Sequence, residues 1–173
     1  MELLEAINGR RSVRAFKTQD VEEATVMKLI EAARWAPSAG NIQPWRFVIV
    51  RKPPVKKALA KAALNQAHVE EAPVVIVVCA DEKRSSMGYG IRGKLLYCLQ
   101  DTAAAIQNIL LTAHSLELGS CWVGAFDEES AREALNIPEG VRPVAIIPVG
   151  YPAETPRQRD RRPLTEIVHR EGF

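Results

Sequence analysis

Residues 94–118 read KLLYCLQDTAAAIQNILLTAHSLEL, and the reading of this stretch decides the fold. Gln100, Gln107 and His114 recur every seven residues, as do Asp101, Asn108 and Ser115, while most remaining positions are Leu, Ile, Ala, Tyr or Cys. A helix with so narrow a polar stripe is apolar on most of its circumference and must be packed on several sides. Two arrangements meet that demand: a central core helix of one domain, or one that is also buried against a partner subunit. The amides and Asp101 break any run of 18 apolar residues, so the stretch does not read as a bilayer span.

Upstream lies Val74–Cys79, an unbroken, mostly β-branched run that suits a strand covered on both faces. Between it and the long helix, Asp81–Gly93 reads as a polar loop. Downstream come a short strand at Cys121–Val123, a helix opened by Asp127, and a strand at Val144–Val149. Toward the N-terminus a short helix spans about residues 2–8, with Leu3, Leu4 and Ile7 on one face and Gly9 as its stop. A second helix follows Asp20, its expected cap, with Glu23 placed for a capping box. It ends near Trp35, because Ala36 precedes Pro37 and is pushed out of helical geometry. The loop Pro37–Pro44 leads into a strand at Trp45–Arg51, and Pro54 suits the first turn of a third helix that presents Ala58, Leu59, Ala62 and Ala63. From Tyr151 onward prolines and arginines predict an extended arm. With 173 residues and no internal repeat, the expectation is one domain over residues 1–173.

A net charge of +2, with 25% charged and 47% hydrophobic residues, argues against a general nucleic-acid or membrane-surface binder and against disorder. Cys79, Cys98 and Cys121 are far apart in apolar runs and read as buried thiols of a reducing compartment. The N-terminus MELLEAINGRR lacks the basic start and apolar stretch of a signal peptide, so the expected location is cytoplasmic.

Seven of fifteen arginines fall in two short segments: Arg10, Arg11 and Arg14, and Arg157, Arg159, Arg161 and Arg162. Guanidinium forks bind phosphate oxygens bidentately and tolerate partial burial, and Ser12 adds a hydroxyl donor. From charge alone, two solvated basic faces explain the clusters as well as one phosphate site does. Residues 37–45, PSAGNIQPW, offer Ser38, Asn41 and Gln43 on an irregular backbone able to face a flat heterocycle, or simply to join helix to strand. Gly88-Tyr89-Gly90-Ile91-Arg92-Gly93 spells a dinucleotide-binding fingerprint, but it neither follows directly on a strand nor has the acidic residue about twenty positions on. A mobile loop suits these glycines better. The three histidines are isolated, and no Ser-His-Asp arrangement or metal-ligand cluster has the required spacing, so no residue is assigned as catalytic or metal-binding.

Taken in order, Arg10–Phe16, Ala36–Trp45, Ala72-Pro73, Asp101–Asn108, Gly119–Gly124 and Arg161–Val168 resemble the nitroreductase family along nearly the whole chain. The resemblance implies an α+β fold (an α/β sandwich) with a central mixed, mainly antiparallel sheet flanked by helices. It also implies a homodimer with FMN at the subunit interface and NADH or NADPH as transient electron donor. By position Arg10, Arg11, Ser12 and Arg14 would hold the FMN phosphate, ribityl chain and pyrimidine edge, and Arg159 and Arg161 would complete the phosphate site. Pro37, Ser38, Ala39 and Asn41 would come from the other subunit, with Gln43 in the same loop. Asn65 matches a position that touches flavin, and Val123 and Gly124 match a segment whose backbone N–H lies near flavin N5. Arg157 and Arg162 are expected to be solvated. Two departures stand out: His68 where a lysine often stands, and Glu117 where a glycine commonly precedes Leu118-Gly119. The expected reaction passes hydride from NAD(P)H through flavin to a nitroaromatic or quinone-type acceptor. The alternatives are another flavin reaction on the same scaffold (reductive dehalogenation, oxidase or dehydrogenase chemistry) and a non-catalytic flavin-binding module.

Overall fold

Val74–Cys79 forms the heart of the structure, a computed structural model that describes residues 1–173. The run extends to Asp81 as strand β2 (Val74–Asp81), and every residue of it is buried. Side chains alternate across a strand, so Val74, Ile76 and Val78 enter one apolar cluster and Val75, Val77 and Cys79 another. Strand β1 (Trp45–Val50) pairs with one edge of β2 and β4 (Val141–Gly150) with the other, and the two-residue strand β3 (Gly119–Ser120) lies beyond β4. All three pairings are antiparallel. The expected mixed character reduces to one parallel bridge, Ser12 to Ser120.

Helices cover both faces. On one, α2 (Glu23–Arg34) and α6 (Cys98–Ser115) contribute Val26, Leu29, Ala33, Ile106, Ile109 and Ala113 to the first cluster. On the other, α3 (Pro53–Ala62), α4 (Ala67–Glu71) and α7 (Glu128–Leu135) supply Leu59, Ala62, Val69 and Ala131. The result is a helix–sheet–helix sandwich of α+β type. Cys79, Cys98 and Cys121 are free and buried, as their apolar surroundings implied.

Three expectations need correction. Asp20 does not cap α2, whose N-cap is Glu22 with no side-chain cap bond. Instead Asp20 and Glu23 both accept from Arg51, at 2.7 and 3.2 Å, and tie the end of β1 to the start of α2. The predicted loop 81–93 is a helix, α5 (Glu82–Arg92), opened by Asp81, whose carboxylate accepts the Arg84 N–H at 2.9 Å. It kinks at Tyr89 and Gly90 and folds back through a π turn, Gly93–Tyr97, into α6. Gly93 is needed there because a Cβ would strike the Ser85 carbonyl, and the Ser85 hydroxyl donates to the Gly93 carbonyl at 3.0 Å. The short strand precedes its expected position by two residues, with Val123 retained as an isolated bridge to Ile146.

Helix α1 (Leu3–Gly9) buries only Ala6; Leu3, Leu4 and Ile7 are exposed. The arm from Tyr151 onward carries exposed Leu164, Ile167 and Val168 and one short 3-10 turn, Leu164–Glu166. No helix is long and apolar enough to cross a membrane.

Candidate functional site

The two arginine clusters meet because the chain ends are stitched together. Val13 donates to the Ser120 carbonyl at 3.0 Å, laying residues 12–13 beside β3. The base of the arm then pairs with the same segment: Lys17 N–H donates to the Tyr151 carbonyl at 2.8 Å and Ala153 N–H to the Ala15 carbonyl at 2.9 Å. Glu154 closes the seam, with Oε1 accepting from the Arg14 and Ala15 N–H groups at 2.5 and 3.1 Å. Charge-assisted bonds from adjacent amides to one carboxylate are strong and directional.

Beyond this seam lies an open cavity of about 950 Å³, lined by Arg10, Arg11, Ser12, Arg14, Pro156, Arg157, Gln158, Arg159, Asp160 and Arg161, with no hydrophobic residue. Arg10, Ser12 and Arg161 therefore line one cavity. Arg157, expected to be solvated, is exposed and lines the same open cavity. Arg162 turns outward to Glu166 at 3.1 Å. Burial lowers the proton affinity of Arg10, and the charges of Arg11 and Arg161 lower it further. Guanidinium nevertheless stays charged, so the cavity concentrates cations around a single acid, Asp160. His114 lies beneath them against Gly9. Burial and the charges of Arg10 and Arg11 push it toward the neutral form.

The loop 37–45 sits elsewhere. Gly40, Asn41 and Gln43 all adopt positive φ, at 55°, 56° and 55°. Such left-handed backbone is uncommon outside glycine and clusters at functional sites. The shape is held from inside: Gln43 N–H donates to the Ser38 hydroxyl at 3.0 Å, and the Gln43 side-chain amide donates to Asn41 Oδ1 at 3.2 Å. From outside, Ala39 N–H donates to Asp101 Oδ1 at 3.1 Å and the Arg84 guanidinium to the Ile42 carbonyl at 2.5 Å. Gln43 is thus engaged within the loop. Asp101 stands at the start of α6 and His114 near its end. At 1.5 Å per residue the loop and the arginine cavity lie about 20 Å apart along the helix, and none of residues 37–45 lines the cavity.

Asn65 has a left-handed backbone, φ 60°, in the turn between α3 and α4. That turn is fixed beside the 123–127 segment, since Gln66 donates to the Ala125 carbonyl at 3.3 Å and Asp127 N–H to the Ala62 carbonyl at 2.9 Å. Val123 and Gly124 are not equivalent. The Val123 N–H is already spent on the Ile146 carbonyl at 3.0 Å, whereas the Gly124 N–H has no acceptor in the chain. His68 is buried with Nε2 unpartnered, and burial, with the charge of Arg14, holds it toward the neutral form. Sequence reasoning missed Glu154 and Asp101 as site-shaping residues; their partners lie far off in the chain and leave no local signal.

Residues 7–89 and 55–151 match the Nitroreductase family model. The chain belongs to the nitroreductase family. Relatives include an NADH dehydrogenase of Thermus thermophilus, 36% identical over 186 residues (92% of this chain, 91% of that protein). The oxygen-insensitive NADPH nitroreductase of Salmonella typhimurium is 31% identical over 177 residues, covering 98% of this chain and 74% of its own. Among solved structures, the NADPH:FMN oxidoreductase of Vibrio harveyi complexed with NAD⁺ superposes with a TM-score of 0.91 at 27% identity, over 99% of this chain and 77% of that one. This nitroreductase-family chain is the shorter partner in that comparison. Glu117, just before Leu118, has a left-handed backbone, φ 61°.

Proposed function

We propose that the protein is an FMN-dependent NAD(P)H oxidoreductase, a single flavin-binding domain over residues 1–173 that works as a homodimer and reduces an electron-poor acceptor of nitroaromatic or quinone type. The observation that carries this reading is the convergence of arginines from both chain ends on one cavity with a single acid in it. A dense set of guanidinium forks, with Arg10 half-buried among them, fits one compact phosphate. FMN, when bound, supplies the hydride chemistry.

The chain's own residues bind, orient and protect. Arg10, Ser12, Arg14, Arg159 and Arg161 grip the phosphate, while Arg11, whose guanidinium turns back to the Asn8 carbonyl at 2.6 Å, steadies the end of α1. Gly124 offers the unused N–H for the flavin N5 edge, and Asn65 sits across from it on the α3–α4 turn. Ser38, Asn41 and their loop serve the cofactor of the partner subunit. Three features support a second copy: the separation of loop and cavity, the exposed Leu3, Leu4 and Ile7, and the exposed apolar residues of the arm. No side chain is assigned as general base; the Gly124 N–H would offer the bound ring a fixed donor.

The absorption spectrum of the purified protein tests the reading. The expected result is a yellow flavoprotein that bleaches with NADH or NADPH under anaerobic conditions and recovers colour with a quinone or nitroaromatic. Protein that is colourless and stays so after incubation with FMN rejects it. Bound flavin indifferent to both nicotinamides favours a different flavin reaction on this scaffold.

A further inference from the structure

Asp101 is nine-tenths buried, at 7% exposure, in the first turn of α6. Oδ1 accepts the Ala39 N–H across 62 residues of sequence, and Oδ2 is buried with no partner at all. Burial pushes this carboxyl up, and the Ala39 N–H is the contact that works against the shift. A buried carboxyl with one hydrogen bond is destabilising in isolation. Its single bond falls at the entry to the left-handed run Gly40, Asn41 and Gln43, a conformation that persists only when its surroundings over-determine it.

We propose that Asp101 is a positioning residue for the flavin: by fixing the Ala39 N–H it sets the backbone course through Ser38–Gln43, and so the aim of Ser38 and Asn41 at the partner subunit's cofactor. The proposal rests on the homodimeric flavin reading above. If Asp101 were only core filling, any side chain of similar volume would serve. A positioning role instead requires an acceptor oxygen at this point, which asparagine retains and alanine lacks.

The test compares Asp101→Asn and Asp101→Ala in the full-length protein by three measurements: FMN dissociation constant, midpoint potential of the bound flavin, and amide exchange over residues 38–43 without flavin. Asp101→Ala is expected to raise the dissociation constant about tenfold, as loss of one buried hydrogen bond implies, to shift the potential and to speed exchange at Ala39. Asp101→Asn is expected to stay near wild type in all three. Wild-type affinity, potential and exchange in Asp101→Ala overturn the proposal, as does an Asp101→Asn variant as impaired as Asp101→Ala. Should Asp101→Ala not fold, Asp101→Ser, too short to reach Ala39, takes its place. A wild-type protein that takes up no FMN rejects the functional reading and the positioning role with it; an Asp101→Ala variant with wild-type affinity, potential and exchange rejects the positioning role alone.

Discussion

At Glu117 the chain turns left-handed to close α6. Leu118 N–H donates to the Ala113 carbonyl at 2.9 Å and Glu117 N–H to His114 at 3.1 Å, the paired bonds of a Schellman ending. An L-residue there carries a penalty on the order of 1 kcal/mol that glycine avoids. Glu117→Gly is therefore expected to stabilise the protein by about 1 kcal/mol, read as a raised urea midpoint with an unchanged slope. Gly40 is the converse case: at φ 55° any side chain is strained, and an added Cβ would lie 2.6 Å from the Tyr89 hydroxyl. Gly40→Ala should cost about 1 kcal/mol of stability and weaken FMN binding through the loop, measured by fluorescence titration. In the phosphate cavity, Arg10→Ala or Arg161→Ala should weaken FMN about 10- to 100-fold, the worth of a charge-assisted hydrogen bond. Arg162→Ala, whose side chain faces Glu166, should leave affinity unchanged.

Among the elements, α5 hangs on one carboxylate. Asp81 caps it through Arg84 N–H and also accepts from the Arg46 guanidinium of β1 at 2.9 Å. Burial works against ionisation of Asp81, but these partners outweigh it and hold the carboxyl below its usual range. A depressed folded value means the stabilisation is fully present above the unfolded value, about 3.9, and is lost as pH falls through the folded one. Asp81→Ala should cost about 1–3 kcal/mol, a gap from wild type that holds from about pH 7 to about pH 4 and shrinks below. Urea titrations across that range check it. The same region shows where sequence reading stops. Val74–Cys79 and the heptad stripe of α6 announce themselves, because their periodicity is set by burial. In α5 the glycines of 88–93 look like loop signals, and only the packing of Gly93 on Ser85 reveals a helix reversal. The arginine clusters were legible through their composition and order. Glu154 and Asp101 were not, since each acts on a backbone N–H that only the fold brings near.

For the whole molecule, the arm from Pro156 onward adds almost nothing to the core, since residues 157–173 are all exposed. Deleting 156–173 should leave a folded chain with a nearly unchanged flavin-free melting temperature, yet abolish FMN binding and weaken dimerisation, as calorimetry and light scattering would report. The three buried thiols add a built-in clock. Burial pushes the Cys79 thiol up to about 12, and Cys98 and Cys121 are raised for the same reason. Thiolate is the species that alkylating agents and peroxide attack, so these sulfurs are chemically silent while the protein stays folded. Modification by iodoacetamide then proceeds only through opening of the sandwich, and its rate at each cysteine measures how often that part of the molecule comes apart.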